Sequence, residues 1–395
     1  MFSIYIKMKK EGIRIEKRGI NFLYLNQFIR GSAFSLVGIF IPIYLLTLGF
    51  SLTSIFIYFL IFHLATFIFT PIALILSKRV GYKVIFLSSV IMMIFFLILL
   101  QLLDKISISY VIIATIGGIE NAFYFIPLHA FFTRLSEDLK RGTQLSNYSS
   151  LGQLAGLFSP LIGGFIILRF GFSSLFTVVI VLLSISIIPL FYLENTKPNT
   201  IITLRGVKKL ANNHKRFFLG TIAKDFLGEI NEIVWPIFVY ITLVKVLSVG
   251  LAGTLVAGGS ILFTLFVGRF YDKKNKYLFL KIGGALFAVL WIMRIYLDTP
   301  LFIFASSMFA GFFAIMINIP FGTIFYDKAA KEKDFDEFIV VREIPTVIAR
   351  TTLWIFMILL INKFVFAFTL ASIASLFFLL YTLKLKIFKN KTRKN

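Results

Sequence analysis

The sequence predicts an all-α integral membrane protein with twelve transmembrane helices in two pseudo-symmetric halves of six. Three observations predict this class: an apolar composition, apolar blocks long enough to cross a bilayer, and an internal repeat near 194 residues. Hydrophobic residues make up 58% of the 395 residues, and the mean hydropathy is +0.91. Because soluble domains are about 45–50% apolar, this excess indicates a chain that uses lipid as its solvent.

The apolar residues are grouped into blocks of at least the ~20 residues that a helix needs to cross a ~30 Å hydrocarbon core. Helices are the expected form, because lipid offers no partner to free backbone groups, and the blocks lack the alternation of a membrane β-barrel. The first six predicted helices are 20–48, 52–76, 84–103, 107–132, 144–168 and 172–193. The second six are 217–245, 248–270, 277–297, 300–326, 337–361 and 364–386.

The net charge of +23 follows a pattern along the chain. With an N-terminus inside the cell and alternating crossings, 32 of the 41 Lys and Arg residues fall on the inner side and five on the outer side. This asymmetry is the positive-inside rule. It predicts a multi-pass protein of the cytoplasmic (inner) membrane with both termini in the cytoplasm. Membrane topology accounts for the basic charge, so no nucleic-acid partner is expected.

The longest polar stretch, 194–216, divides the predicted helices six and six. It predicts an N-terminal half at 1–193, a cytoplasmic linker at 194–216 and a C-terminal half at 217–395. Segments in the two halves match at nearly the same offset: 40–44 with 234–238, 76–83 with 270–277, and 125–132 with 318–325. Three matches in equivalent helices indicate an internal duplication. A parallel repeat of six helices is one plan of secondary transporters, with the site between the halves.

Two loops and one helix carry more specific motifs. GRFYDKKNK, after helix 8, contains Gly268, Asp272 and Lys273, and the equivalent loop after helix 2 retains Arg79 and Gly81. Both loops resemble the G-x-L-x-D-R-x-G-R-K motif of the major facilitator superfamily, although Lys78 stands in the Asp position of the first copy. Helix 5 contains GLFSPLIGG at 156–164, which is similar to the G-x-x-x-G-P-x-x-G-G motif of exporting members.

This resemblance covers nearly the whole chain and implies a rocker-type alternating-access transporter. It implies that helices 1, 4, 7 and 10 line a central cavity. It also implies a gating role for Gly268, Asp272, Lys273, Arg79 and Gly81, with Asp272 able to pair with neighbouring cations across the closed inner gate. A solvated loop charge is the alternative interpretation of Asp272.

Helix 7 carries three acidic residues on one face, because Asp225, Glu229 and Glu232 follow a spacing of four and three. Ionisable groups in the membrane cost about 2.5–3.5 kcal/mol each, so they usually face a cavity or a partner. Two neighbouring acids repel each other, and burial also disfavours the doubly ionised state. We therefore expect Glu229 or Glu232 to bind and release a proton.

Further polar residues lie within the other predicted helices. Glu120 and Asn121 occupy the middle of helix 4, and the resemblance places them, with the acids of helix 7, beside the path of the solute or proton. Arg30 and Arg350 lie in helices 1 and 11. The two arginines are expected either to form structural pairs with carboxylates or to line the solute path. His63, near the middle of helix 2, is expected to be a packing residue rather than a proton relay.

The function predicted from these features is secondary active transport of a small solute, coupled to protons or another ion, with export favoured by the helix-5 motif. Uptake of a sugar, nutrient or peptide is the alternative. A polytopic membrane enzyme or a non-transporting sensor is the alternative from another class, but no catalytic cluster or long soluble extension is apparent. The chain is therefore predicted not to be an enzyme. No cofactor or metal is expected, membrane lipid is the surrounding partner, and the protein is expected to act as a monomer.

Overall fold

A computed structural model describes residues 2–137, 140–198, 203–267, 276–296, 298–332 and 334–392. The described chain is helical almost throughout. Before the predicted linker the helices are α1 (Phe2–Val37), α2 (Ile41–Thr47), α3 (Leu52–Val80), α4 (Tyr82–Leu102), α5 (Tyr110–Leu135), α6 (Arg141–Gly156) and α7 (Ser159–Phe191). After them come α8 (Leu204–Asn213), α9 (Lys215–Glu229), α10 (Trp235–Leu243), α11 (Val246–Val267), α12 (Lys276–Tyr296), α13 (Pro300–Ala329), α14 (Phe335–Leu359) and α15 (Lys363–Thr392). We call α1–α7 the first half and α9–α15 the second half.

The first and seventh predicted spans are each interrupted just before a proline. A 3₁₀ turn at Gly38–Phe40 separates α1 from α2, and Pro42 is the second residue of α2. A π-helical turn at Ile230–Val234 separates α9 from α10, and Pro236 is the second residue of α10. Proline has no backbone N–H and clashes with the carbonyl four residues earlier, so a regular α-helix is disfavoured ahead of each one.

The fifth and sixth predicted spans correspond to α6 and α7, with different boundaries. α6 ends at Gly156 and α7 begins at Ser159, with Pro160 in its first turn. Gly171 has a φ of 79° inside α7, so the backbone turns there between two helical arms. The sequence predicts the boundary between spans at this glycine, because the predicted helices end at 168 and resume at 172.

Nine segments of the described chain are long and apolar enough to cross a membrane. One of them, Arg141–Phe191, has 51 residues. At 1.5 Å per residue it extends about 76 Å, enough for two crossings. The charged α14 and the helix α15 lie outside these nine segments. With both added and Arg141–Phe191 counted twice, the helices accommodate the twelve predicted crossings. Large apolar side chains such as Ile91 and Leu168 point outward, as lipid contact requires.

The linker contains a helix that the sequence analysis did not predict. Thr203 caps α8, because its hydroxyl accepts a hydrogen bond from the Gly206 N–H. The Thr203 N–H in turn donates to Glu337 Oε1 of the second half (3.1 Å), and Tyr82 N–H of the first half donates to the Thr196 carbonyl (2.8 Å). The linker is therefore attached to both halves at one end of the bundle, which we call the linker end.

The two halves also meet toward the opposite, far end. Trp354 of α14 stacks on Phe59 and Phe56 of α3, with ring centroids 5.0 and 5.6 Å apart. At the start of α7, the Leu161 N–H donates to Thr254 Oγ1 of α11 (3.2 Å). This amide lies in the first turn of α7, where backbone N–H groups have no partner within the helix. A side chain of the second half thus accepts a hydrogen bond from a backbone N–H in the first turn of a helix of the first half.

Candidate functional site

A central cavity of about 330 Å³ lies between the halves. Helices α3 and α5 of the first half and α9, α13 and α14 of the second half form its wall. Its acidic lining residues are Asp225, Glu229, Glu232 and Glu343, and its cationic ones are Lys224, Arg342 and Arg350. Charged groups inside a membrane protein usually face such a cavity or a partner. Here they do both.

Glu229 is buried and forms a contact with each half of the protein. Its Oε2 lies 2.9 Å from His63 Nε2 of α3, and its Oε1 lies 3.0 Å from Arg350 Nε of α14. The second contact has an ion-pair distance without the alignment of a hydrogen bond, since Arg350 Nε has no hydrogen-bond partner in the described chain. Glu229 therefore has an ion pair within its own half and a bond to His63 across the halves, and His63 belongs to the site.

Asp225, one helical turn before Glu229, is held entirely by groups of the second half. Its Oδ2 accepts a hydrogen bond from Thr346 Oγ1 at 2.7 Å. Its Oδ1 lies 3.6 Å from Lys224 Nζ and 3.7 Å from Arg350 Nη2. Arg350 thus lies between two carboxylates, which compensates the charge of both in this low-dielectric region.

Glu232 differs from these acids because no described cationic side chain lies within ion-pair distance of it. It lines the cavity and lies in the π-helical turn Ile230–Val234. Its side chain is exposed to the space of the cavity, and no described residue forms an ion pair or hydrogen bond with it. Single π-helical turns inside α-helices occur often at functional sites. The local geometry thus leaves one free carboxylate beside the bonded Glu229.

Arg30 and Glu120 form a separate buried pair. Arg30 Nη2 lies 2.6 Å from Glu120 Oε1, and the guanidinium stacks over the ring of Tyr124 at 3.7 Å. Neither residue lines the central cavity, whereas the neighbouring Asn121 does. Asn121 Nδ2 donates to Thr66 Oγ1 at 3.3 Å. The structure therefore brings Asn121 together with the acids of α9 and places the Arg30–Glu120 pair inside the first half.

Polar contacts between the halves lie at the linker end of the cavity. His129 Nδ1 lies 2.8 Å from the hydroxyl of Tyr326. Farther toward the linker, Tyr82 donates a hydrogen bond to Asp336 Oδ1 at 2.7 Å, and Arg134 Nη2 lies 3.4 Å from Asp336 Oδ2. Each contact joins a residue of the first half to one of the second. They form an inner layer that must separate if the cavity is to open on this side.

The two predicted gating loops can be compared only in part, because Gly268, Asp272 and Lys273 lie outside the described residues. Arg79 is exposed in the last turn of α3. Gly81 ends that helix with a φ of 93° and packs against the side chain of Asn195. Asn195 donates to the Val80 carbonyl (2.9 Å) and accepts from the Lys83 N–H (3.2 Å). In this structure the first loop is a docking point for the linker.

The sequence identified the acidic residues of the site but not the residues that bond to them. The expectation that His63 is a packing residue is incomplete, because His63 bonds Glu229 from 166 positions away in the chain. Tyr82 and Asp336 carry no motif at all. The available signal for His63 is its position near the middle of a predicted span, where an ionisable side chain needs a partner.

A family model described as Major Facilitator Superfamily matches residues 23–334. Among curated proteins, an uncharacterized protein YqgE of Bacillus subtilis is 23% identical over 316 residues, covering 72% of this chain and 70% of its own. A multi-drug resistance efflux pump PmrA homolog of Lactococcus lactis is 24% identical over 332 residues, covering 75% of this chain and 76% of its own.

Two solved structures share the fold at low sequence identity. The human organic anion transporter MFSD10 (TETRAN) has a TM-score of 0.69 at 12% identity, covering 93% of this chain and 99% of its own. The Escherichia coli fucose:proton symporter FucP has a TM-score of 0.66 at 12% identity, covering 92% and 97%. These matches confirm the predicted all-helical transporter fold. The chain belongs to the major facilitator superfamily, and it is a multi-pass membrane protein of that transporter family.

Proposed function

We propose that this protein is a proton-coupled secondary active transporter that exports a small solute across the cytoplasmic membrane by alternating access. The observation that carries the proposal is Glu232, a carboxylate in a central cavity that no described residue pairs with, next to Glu229, whose charge is compensated. An uncompensated charge inside a membrane costs about 2.5–3.5 kcal/mol. Uptake of a proton by Glu232 removes that cost, and release restores it.

The contact between Glu229 and His63 supports a link between this proton and the movement of the halves. Because the two residues belong to different halves, any rocking motion that opens the cavity beside them separates the carboxylate from the imidazole. Glu229 would then rely on Arg350 alone, and the electrostatic field at Glu232 would change. Protonation and conformation therefore affect each other through one small cluster. Such reciprocity is a general property of coupled sites.

Two observations favour export. The exporter-like motif at 156–164 surrounds the interruption between α6 and α7, where Leu161 of one half bonds to Thr254 of the other. One relative is named as a multi-drug resistance efflux pump homolog. Uptake of a sugar, nutrient or peptide is the alternative, and the direction of solute movement under a known proton gradient separates the two.

The test is a flux assay in proteoliposomes with an imposed pH gradient and a pH-sensitive dye inside. Ethidium, fucose, a neutral dipeptide and an aromatic carboxylate are added in turn, and proton movement is recorded. The proposal expects at least one solute to move protons in vesicles with the parent protein and not in vesicles with Glu232→Gln. Solute flux through the parent protein that does not depend on the pH gradient would contradict the coupling. Glu137→Gln, an exposed acid in the loop between α5 and α6, is the matched control.

We also propose that the linker end faces the cytoplasm, together with both termini, because most Lys and Arg residues fall on that side. Reporter fusions after residue 198 and at the C-terminus should both report the cytoplasm, and an external report at either position would contradict this topology.

The interruptions before Pro42 and Pro236 support the proposed duplication of the 1–193 and 217–395 halves. Superposition of the halves should bring these two prolines together.

A further inference from the structure

His129 lies in the cavity wall near the linker end and has one unsatisfied nitrogen. The residue is 8% exposed, and its ring packs between Phe125 and Phe325. Its Nδ1 is bonded to the Tyr326 hydroxyl, whereas its Nε2 is buried and has no partner in the described chain. Buried polar atoms are nearly always paired, so an unpaired one requires an explanation.

The contact with Tyr326 indicates what Nε2 can do. We assign the Tyr326 O–H as the donor to Nδ1, because the opposite direction would leave both the hydroxyl hydrogen and Nε2 without a partner among the described residues. A neutral imidazole has one donor and one acceptor nitrogen. With Nδ1 accepting, the proton lies on Nε2, which is therefore a buried N–H donor without an acceptor.

Arg342 supplies a second donor of the same kind in the same part of the cavity. Its Nη2 lies 2.6 Å from Glu343 Oε1, and its guanidinium lies over the ring of Phe325 at 4.8 Å. Its Nε is buried and has no hydrogen-bond partner in the part of the chain that is described. His129 and Arg342 thus contact the same phenylalanine ring, and each keeps one N–H donor free.

We propose that the linker-end part of the cavity is a subsite for an oxyanion group of the transported solute, such as a carboxylate or sulfonate, with His129 Nε2 and Arg342 Nε as its donors. An oxyanion offers two or more oxygens to two donors, and its bond to a guanidinium is charge-assisted. The proposal rests on the proposed function only in taking the cavity as the place where solute binds.

The charges around the subsite fit this assignment. The acids of this region are already engaged, since Glu343 pairs with Arg342 and Asp225 is shared by Lys224, Thr346 and Arg350. The free carboxylate, Glu232, follows Lys224 by eight residues, or about 12 Å along the helix. A solute whose oxyanion faces the linker end therefore keeps its negative charge away from Glu232.

Gly228 provides a reporter position between the proposed oxyanion subsite and Glu232. It lines the cavity, and a Cβ at this position would meet no atom within 4 Å. The chain has no native cysteine. Gly228→Cys in the otherwise unchanged full chain can therefore be labelled selectively. Three thiol reagents of different charge are compared: anionic sulfonatoethyl methanethiosulfonate, cationic trimethylammonioethyl methanethiosulfonate and neutral N-ethylmaleimide.

The subsite predicts that His129→Phe and Arg342→Lys, each combined with Gly228→Cys, lower the rate with the anionic reagent about tenfold relative to the neutral one, as expected for loss of a charge-assisted hydrogen bond. The rate with the cationic reagent should not fall. Phe retains an aromatic ring and Lys retains the positive charge, so the His129 Nε2–H and the Arg342 Nε–H are lost without a change in net charge. Tyr326→Phe also breaks the cross-half bond but leaves the imidazole, so the ratio of anionic to neutral rates should stay at the parent value.

An unchanged ratio in both His129→Phe and Arg342→Lys would overturn the proposal. A fall that is equal for all three reagents would also overturn it, because it would report access rather than binding. If one of these two variants does not fold, the other decides. The assay needs no proton gradient, so failure of proton coupling at Glu232 and failure of this subsite give different results.

Discussion

Glu229 of α9 and His63 of α3 form a direct contact across the two halves of the bundle, with Oε2 and Nε2 2.9 Å apart. Both residues are buried, so water does not compensate the charge of the Glu229 carboxylate. Arg350 approaches the other oxygen of the same carboxylate. The three side chains form a compact polar cluster in an apolar protein, and each depends on the other two.

Arg350→Gln should destabilise the protein by about 3 kcal/mol or more, because it leaves buried acids without their shared cation. The free energy of unfolding can be measured by titration with sodium dodecyl sulfate. The double variant Arg350→Gln, Glu229→Gln should recover part of that loss, since it also removes one of the stranded charges. Equal stabilities for the parent and the single variant would show that the cluster contributes nothing to folding.

The sequence was sufficient to predict the helices and the acids but not the contacts between helices. Hydropathy located the spans, and helical spacing placed Asp225, Glu229 and Glu232 on one face, which the structure shows to line the cavity. The helical spacing alone did not distinguish Glu229 from Glu232. That difference depends on His63 and Arg350, which are 166 and 121 positions away from Glu229, and on a π-helical turn that follows it.

Other missed features have similar causes. Arg30 was expected either to pair with a carboxylate or to line the solute path, and the sequence did not indicate that its partner is Glu120, which lies 90 positions away and within the same half. The linker helix α8 was not predicted, because a short polar segment has no spanning hydropathy. Its position is set by tertiary bonds such as the one from Thr203 to Glu337. Long-range pairing is not encoded in local composition or periodicity.

Asp336→Asn should make opening at the linker end easier. The change weakens the contact with Arg134 and alters the bond from Tyr82, both of which join the halves. Labelling of Gly228→Cys by N-ethylmaleimide should accelerate by up to about tenfold, the value of one charge-assisted hydrogen bond. Asp334→Asn, an exposed acid two residues earlier, is the matched control. Equal labelling rates in both variants and the parent would show that the contacts of Asp336 do not hold the linker end closed.

Gly81→Ala should disturb the docking of the linker. The φ of 93° is strained for any residue with a Cβ, at about 1–2 kcal/mol, and the new methyl group would collide with Asn195. Gly49→Ala is the matched control, because Gly49 has a φ of 84° and a methyl group added there would meet no atom within 4 Å. Gly81→Ala should therefore lower the free energy of unfolding more than Gly49→Ala does. If both variants lose the same free energy of unfolding, backbone strain accounts for the whole effect and the collision with Asn195 contributes nothing.

Thr254→Val should destabilise the contact between α11 and the start of α7. The substitution keeps the shape of the side chain but removes the acceptor of the Leu161 N–H. An unsatisfied amide costs about 1–3 kcal/mol. Thr369→Val is a suitable comparison, since the Thr369 hydroxyl is exposed and donates only within its own helix. Similar free energies of unfolding for the two variants would mean that the Leu161 amide finds another partner.

The central claim is that Glu232, in the π-helical turn that follows α9, carries the coupled proton. It is tested most directly by proton-driven solute accumulation in proteoliposomes containing Glu229→Gln or Glu232→Gln, which keep shape and hydrogen bonding but cannot ionise. We predict that Glu232→Gln abolishes accumulation driven by the pH gradient while solute exchange without a gradient continues. Accumulation with unchanged rate and unchanged pH dependence in Glu232→Gln would contradict the claim.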